Sequence, residues 1–244
     1  MTTLYLCGAG NPEAIRLAVV VNQHSGRWDR IVVLDDDPAK HGRSIVGVKV
    51  VGGFDMLDVA NPQTSEVANL VARTTAKRWA AWRKIAASGL RPATLLHPGV
   101  DTFGVTLGDN LIVYQYASLG ANATIGDGSV VFTGAIVGHG SQVGACCVLA
   151  PHAVLNARVQ MGDGVYVGTN ASVLPDVKIG AWATIGAGSV AMTDVPEGAT
   201  VLGVPGRIVY KLRPKQFVPH ELRGLDDARP GAFDRKARRE SLTG

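Results

Sequence analysis

Cysteine is scarce in this 244-residue chain: Cys7, Cys146 and Cys147 are the full set, and two of them are adjacent. That excludes a disulfide-built scaffold and points to a reducing compartment, the cytoplasm. Long apolar runs are missing too. No stretch approaches the roughly 20 residues needed to cross a bilayer, so no membrane span is expected. The first residues lack a basic segment followed by a long apolar one, which argues against a secretory leader. Net charge is small, with 24 Lys and Arg against 20 Asp and Glu. Much of the excess lies at the end, where Arg229, Arg235, Lys236, Arg238 and Arg239 cluster. So modest a balance gives no ground for nucleic-acid binding. The cluster reads as a solvated end, with an acidic partner or a phosphate as the alternative. What the chain does have is 46% hydrophobic residues and 30 glycines, which suit a packed, turn-rich protein. Its length suits two modest domains.

Helical and simple strand periods are also absent over a long central stretch. From Val105 to Asp194 the chain repeats every six residues without an insertion. The third place of each hexapeptide is apolar, from Leu107, Val113 and Leu119 through Ile185 to Ala191. The first place of the next is usually small, as at Ala117, Ala123, Ser129, Ala135, Ser141, Ala153, Ala171, Ala183 and Ser189. Glycine commonly occupies the fourth place, where it tolerates the backbone angles that a corner requires. A helix has period 3.6 and a strand period two. Period six fits short strands joined by tight corners and coiled into a parallel β-helix. Three faces make one triangular coil, so this stretch predicts five coils stacked to a height of roughly 24 Å. Large and small inward residues alternate to fill the prism, and its ends need caps.

Before the repeat, residues 3–8 and 31–35 read as buried parallel strands, with a helix over 12–23 that Pro12 opens. This is a βαβ unit on the half-Rossmann plan. Its first turn, Gly8-Ala9-Gly10, lets backbone amides approach a phosphate or ribose. Asp35, Asp36 and Asp37 follow the second strand, where a carboxylate can hold a ribose or a base edge. The third glycine of a dinucleotide fingerprint is missing, because Glu13 stands there. Nucleotide-sugar binding and a purely structural turn therefore both stay open. Val48–Val51 reads as a third strand and Phe54-Asp55-Met56 as the start of a helix. Residues 75–88 read as a second helix, stopped by Gly89 and Pro92. Residues 93–97 read as the strand leading into the repeat.

Several segments together resemble one family: LCGAG, VLDDDP with a later GVKVVGG, RKIAASG, TLLHP, the hexapeptides and a closing GVPGRIV. The chain is similar over residues 3–210 to the sugar O-acyltransferases related to sialic acid O-acetyltransferase. That group includes N-acetyltransferases acting on nucleotide-linked amino sugars. The resemblance implies a left-handed β-helix, a homotrimer, and acetyl-CoA as donor in the cleft between neighbouring subunits. It implies an α/β half-Rossmann domain over 1–97, the β-helix over 98–206, and a cap with a basic tail over 207–244. Gly8, Gly10, Asp35 and Asp36 then bind the sugar or nucleotide-sugar acceptor.

The family's catalytic run matches Thr133-Gly134-Ala135-Ile136-Val137-Gly138-His139-Gly140-Ser141-Gln142-Val143-Gly144. His139 falls on the catalytic histidine. Its register agrees, because it lies two places after the inward Val137 and points outward. Acetyl transfer needs a base near neutral pH, which imidazole provides. Ala157, Thr169 and Ala187 match the donor positions, and Arg207 or Lys211 can meet a CoA phosphate. The chain departs from the pattern in three places. Gly140 replaces the acidic residue after the histidine, Val148 a second histidine, and Asn11-Pro12-Glu13 the family's Gly-His-Gly. His152 is a candidate substitute for that second histidine. O-acetylation and a non-catalytic scaffold or sugar-binding paralogue are the alternatives. A zinc site needs three converging imidazoles, and His97, His139 and His152 are not spaced by whole coils. No metal is expected.

Overall fold

A computed structural model describes residues 1–209. The cluster of arginines and lysine near the end, and Lys211, lie outside the described residues. The first part of the chain forms β1 (Thr3–Cys7), α1 (Pro12–Ser25), β2 (Arg30–Leu34), β3 (Ser44–Ile45), β4 (Val48–Gly52), β5 (Ser65–Asn69), α2 (Thr75–Ala87), β6 (Arg91–Pro92) and β7 (Leu95–Leu96). The strands β3-β4-β2-β1-β5-β6 make one sheet, parallel except for β3 against β4. The expected helix at Phe54-Asp55-Met56 is a single 3-10 turn, Phe54–Leu57. The strand β5 was not expected. Its sequence, SEVAN, carries a Glu and an Asn that disguise a strand, yet it pairs with β1 along its whole length.

The hexapeptides form a left-handed parallel β-helix. Each strand is two residues long and pairs with the strand one coil later, as Ser118–Leu119 does with Ile136–Val137. Three faces result. The polar face presents Thr106, Thr124, Gln142, Gln160 and Lys178 outward. The docked face presents Ile112, Val130, Val148, Tyr166 and Thr184. The open face presents Ser118, Ile136, Val154, Ser172 and Val190. The apolar third-place residues stack inside as one continuous core. The small first-place residues Ala123, Ala135, Ala153, Ala171 and Ala183 point inward at 0% exposure. Two inward serines tie coils together. Ser129 Oγ donates to the Gly144 carbonyl at 2.8 Å and accepts from the Cys147 amide at 2.9 Å. Ser141 does the same with Asn156 and Val159.

The corners correct one expectation. The left-handed backbone sits at the sixth place of the hexapeptide, not the fourth. Every sixth residue from Gly104 to Gly188 has φ between +53° and +72°, including Cys146, Arg158 and Trp182. The fourth-place glycines serve a different need, the close approach of successive coils. A Cβ on Gly126 would come within 2.6 Å of the Gly144 carbonyl carbon, and one on Gly144 within 2.5 Å of that of Gly162. Side chains at the sixth place fold over a glycine of the coil before. His152 lies over Gly134, Trp182 over Gly164 and Cys146 over Gly128.

The N-terminal sheet docks on the prism through both helices. Ile15, Leu17 and Ala18 of α1 share a core with Leu95, Ile112, Tyr114 and Val130 of the docked face. On the other side, Trp79, Trp82 and Ile85 of α2 pack on Ala145, Cys146 and Trp182 at a prism corner. Trp79 meets Trp182 edge-on at 5.3 Å. The docked-face sheet runs on past the repeat at both ends. Leu95–Leu96 starts it, and Thr200–Leu202 with the antiparallel Arg207–Val209 closes it. The boundaries expected after 97 and 206 therefore fall beside strands of one sheet. All three cysteines are buried and free. Burial pushes the Cys146 thiol up to about 12, so at neutral pH it is not a nucleophile. Among the described residues no helix is long and apolar enough to cross a membrane.

Candidate active site

A cleft of about 720 Å³ opens where the carboxyl ends of β1 and β2 face α2 and the prism. Ligand sites in open α/β sheets occupy this position. Gly8, Gly10, Asp35 and Asp36 all line it, so four residues chosen on sequence come together. Gly8 has φ +115°, which favours glycine there, and a Cβ would lie 3.1 Å from Val71. Gly10 faces open space.

The two carboxylates are already engaged. Asp35 accepts from the Ala9 amide at 2.8 Å and pairs with Lys40 at 3.0 Å. Asp36 accepts from the Phe54 amide at 2.8 Å and pairs with Lys84 at 3.0 Å. Burial pushes the carboxyl of Asp35 up, but the Ala9 amide and the Lys40 ammonium outweigh it and hold the group below its ordinary value. Such a group contributes stability in full above its unfolded pKa of about 4, and loses it as pH falls through the folded value. Asp35→Asn is therefore expected to lower the melting temperature above about pH 5. The gap from the parent should close below about pH 4. A gap independent of pH would remove the ion pair from the explanation.

The sequence did not single out the other half of the cleft. Lys40, Phe54, Arg73, Lys77, Lys84 and Phe132 belong to it. Lys77, Ala80, Ala81 and Lys84 line it at helical spacing along α2, and that spacing was the available signal. Arg73 and Lys77 have no ion-pair partner among the described residues. The altered first turn is a cap. Asn11 accepts from the Ala14 amide at 3.3 Å and donates to the Tyr114 hydroxyl at 2.9 Å, which ties α1 to the prism. Tyr114 stacks on Phe132 at 4.8 Å.

His139 lies elsewhere. It is exposed on the corner between the open and polar faces, and its imidazole takes no hydrogen-bond partner among the described residues. Gly140, at φ +67°, leaves room for Arg158 of the next coil, whose Cγ would be 3.3 Å from an added Cβ. Arg158 pairs with Asp176 at 2.7 Å. Ala157 stands one coil above His139 on that corner, as the pairing of Val137 with Leu155 requires. Thr169 and Ala187 are exposed and stand on the corner between the docked and open faces. His152 is exposed on that same corner, and Phe132 of the cleft starts the corner one coil below. Val148 is buried at 1% exposure. Arg207 is exposed in the closing hairpin. Among the described residues no group of three or more His, Cys, Asp or Glu converges as metal ligands do.

Comparisons with known proteins agree with this architecture. The bacterial transferase hexapeptide model (six repeats) matches residues 158–190. No curated protein matches the sequence. Among solved structures, the acetyltransferase domain of PglB from Neisseria gonorrhoeae is 28% identical, with a TM-score of 0.79 over 86% of this chain and 100% of that one. A histidine-to-asparagine variant of perosamine N-acetyltransferase from Caulobacter crescentus, in complex with CoA and GDP-perosamine, is 28% identical. It has a TM-score of 0.76 over 86% and 97%. WeeI from Acinetobacter baumannii, 21% identical over 86% and 100% with a TM-score of 0.76, shares the fold.

Proposed function

We propose that this hexapeptide-repeat acyltransferase moves an acetyl group from acetyl-CoA to the amino group of a sugar carried on a nucleotide. One observation carries the reading. The cleft pairs two glycines and two carboxylates with Arg73 and Lys77, which have no ion-pair partner among the described residues, on a fold whose solved relatives hold acetyl-CoA or CoA with GDP-perosamine. The carboxylates suit the hydroxyls of a ribose or the N–H edge of a base. The cations at the start of α2 suit a diphosphate.

His139 is the base in this reading. As the amine attacks the thioester carbonyl, the N–C bond forms and the imidazole takes the amine proton. The C–S bond then breaks, and the imidazolium returns the proton to the departing CoA thiolate. Gly140 stands where the family carries a carboxylate, the group that elsewhere orients such a ring. Ala157, Thr169 and Ala187 leave space and backbone groups for the donor. They lie on two corners, and the cleft and His139 are separated by the whole open face. That separation supports a homotrimer, in which a neighbouring copy completes the site. A reducing, cytoplasmic setting agrees with the three free thiols.

The lack of a hydrogen-bond partner for His139 among the described residues, and the Gly140 substitution, favour one competing reading, a non-catalytic sugar-binding paralogue. Calorimetric titration with acetyl-CoA, then with UDP-, GDP- and dTDP-linked sugars, separates the two. The transferase reading expects binding of the donor and of one nucleotide sugar, and turnover when both are present. Binding of a nucleotide sugar with no donor binding would overturn it. Donor binding alone would move the acceptor to a sugar without a nucleotide.

A further inference from the structure

Behind the cleft wall lies a buried cation that forms no ion pair among the described residues. Arg78 of α2 is 0% exposed. Its guanidinium donates to three backbone carbonyls: Nη1 to Asn69 and Val71 at 2.9 Å each, and Nε to Gly128. The first two belong to the chain leaving β5, which runs on as the cleft wall from Leu70 to Arg73. The third belongs to a prism corner. Asn110, one coil before Gly128 on that corner, completes the joint. Its side chain accepts from the Asn69 amide at 2.9 Å and donates to the Val67 carbonyl at 2.7 Å. The Asn69 side chain then donates to the Arg78 carbonyl at 2.9 Å and accepts from the Val71 amide at 3.1 Å. Asn69, Arg78 and Asn110 are all fully buried.

A joint of this kind does not require a charge. Carbonyl dipoles orient toward a guanidinium but do not neutralise it, and taking it out of water is costly. Burial pushes Arg78 down only to about 10, so it is cationic at neutral pH. Val71, whose carbonyl Arg78 grips, itself lines the cleft, beside Arg73 and Lys77. A charge behind a low-dielectric wall acts on an anion in front of it more strongly than a charge in water does.

We propose that Arg78 is the positioning residue of the nucleotide cleft, fixing the wall Leu70–Arg73 to the prism and placing a positive charge behind it for the ligand's diphosphate. This rests on the nucleotide-sugar reading of the cleft. The test uses the whole chain as the parent and as Arg78→Lys, Arg78→Gln and Arg78→Met. Each is titrated with GDP, UDP and dTDP and with the matching nucleosides, and melting curves verify folding. Loss of the charge in Arg78→Met should weaken the diphosphate about tenfold, the order expected for one partly screened charge. Nucleoside affinity should change by less than about threefold, and Arg78→Lys should restore most of the diphosphate affinity. Arg78→Gln keeps hydrogen bonding without charge and decides the matter if Arg78→Met does not fold. Unchanged diphosphate affinity in the neutral variants would overturn the proposal. So would equal losses for nucleoside and diphosphate with no rescue by lysine, the behaviour of a purely structural joint. A parent chain that binds acetyl-CoA but no nucleotide would overturn the acceptor reading itself, and this proposal with it.

Discussion

Replacing His139 by alanine should lower kcat by about 10²- to 10⁴-fold, the usual contribution of a positioned general base. The Kd for acetyl-CoA should stay within about twofold, because alanine leaves the neighbouring backbone groups in place. The fold should not change. His139 is exposed, its side chain forms no hydrogen bond among the described residues, and its corner is held by the left-handed Gly140 and the inward Ser141. Steady-state turnover, donor titration and a melting curve on the same preparation test this directly. Turnover equal to the parent's would remove His139 from the mechanism. His152 would then be the next histidine to replace, since it shares a corner with Phe132 of the cleft.

The largest effect on stability should come from a single methyl group. Gly144→Ala places a Cβ within 2.5–2.7 Å of three backbone atoms of Gly162 and Asp163 in the next coil. Backbone in a stacked coil cannot swing aside as a side chain can, so the coils must separate locally. Overpacking of this kind costs about 2–4 kcal/mol. In a chain of this size that lowers Tm by roughly 5–15 °C. Gly188→Asn is the matched control. Gly188 has φ +66° with nothing within 4 Å of an added Cβ, and asparagine visits that region readily. Its Tm should stay within about 3 °C of the parent's. Equal losses at both positions would mean that contact between coils is not what makes Gly144 costly to replace.

The two glycine classes show what a repeat reveals and what it conceals. The fourth-place glycines are conspicuous in the sequence, and a special backbone angle was the natural explanation. The structure gives them ordinary angles and no room for a Cβ. The sixth place, where the angle is special, carries Asn, Tyr, Cys, His, Arg, Asp and Trp as well as Gly. Asn, Asp and His adopt that region with modest cost, and stacking holds Cys, Tyr, Arg and Trp there although each alone disfavours it. Local preference was therefore a poor guide to position. The strand β5 was missed for a related reason. Its Glu66 meets Trp28 and Arg27, and its Asn69 closes a buried network, all through contacts distant in sequence.

By itself the sequence determined the β-helix, the inward residues and the half-Rossmann βαβ unit. Each follows from a periodicity that one chain segment carries whole. It also named one side of the cleft, because Gly8, Gly10, Asp35 and Asp36 sit at strand ends where the local pattern is informative. Tertiary structure alone decided the rest of the cleft, the burial of Arg78 and the distance between His139 and the cleft. Those features depend on how α2 and the corner residues Asn110, Gly128 and Trp182 meet. A contact between segments some 40–100 residues apart leaves no period in either of them.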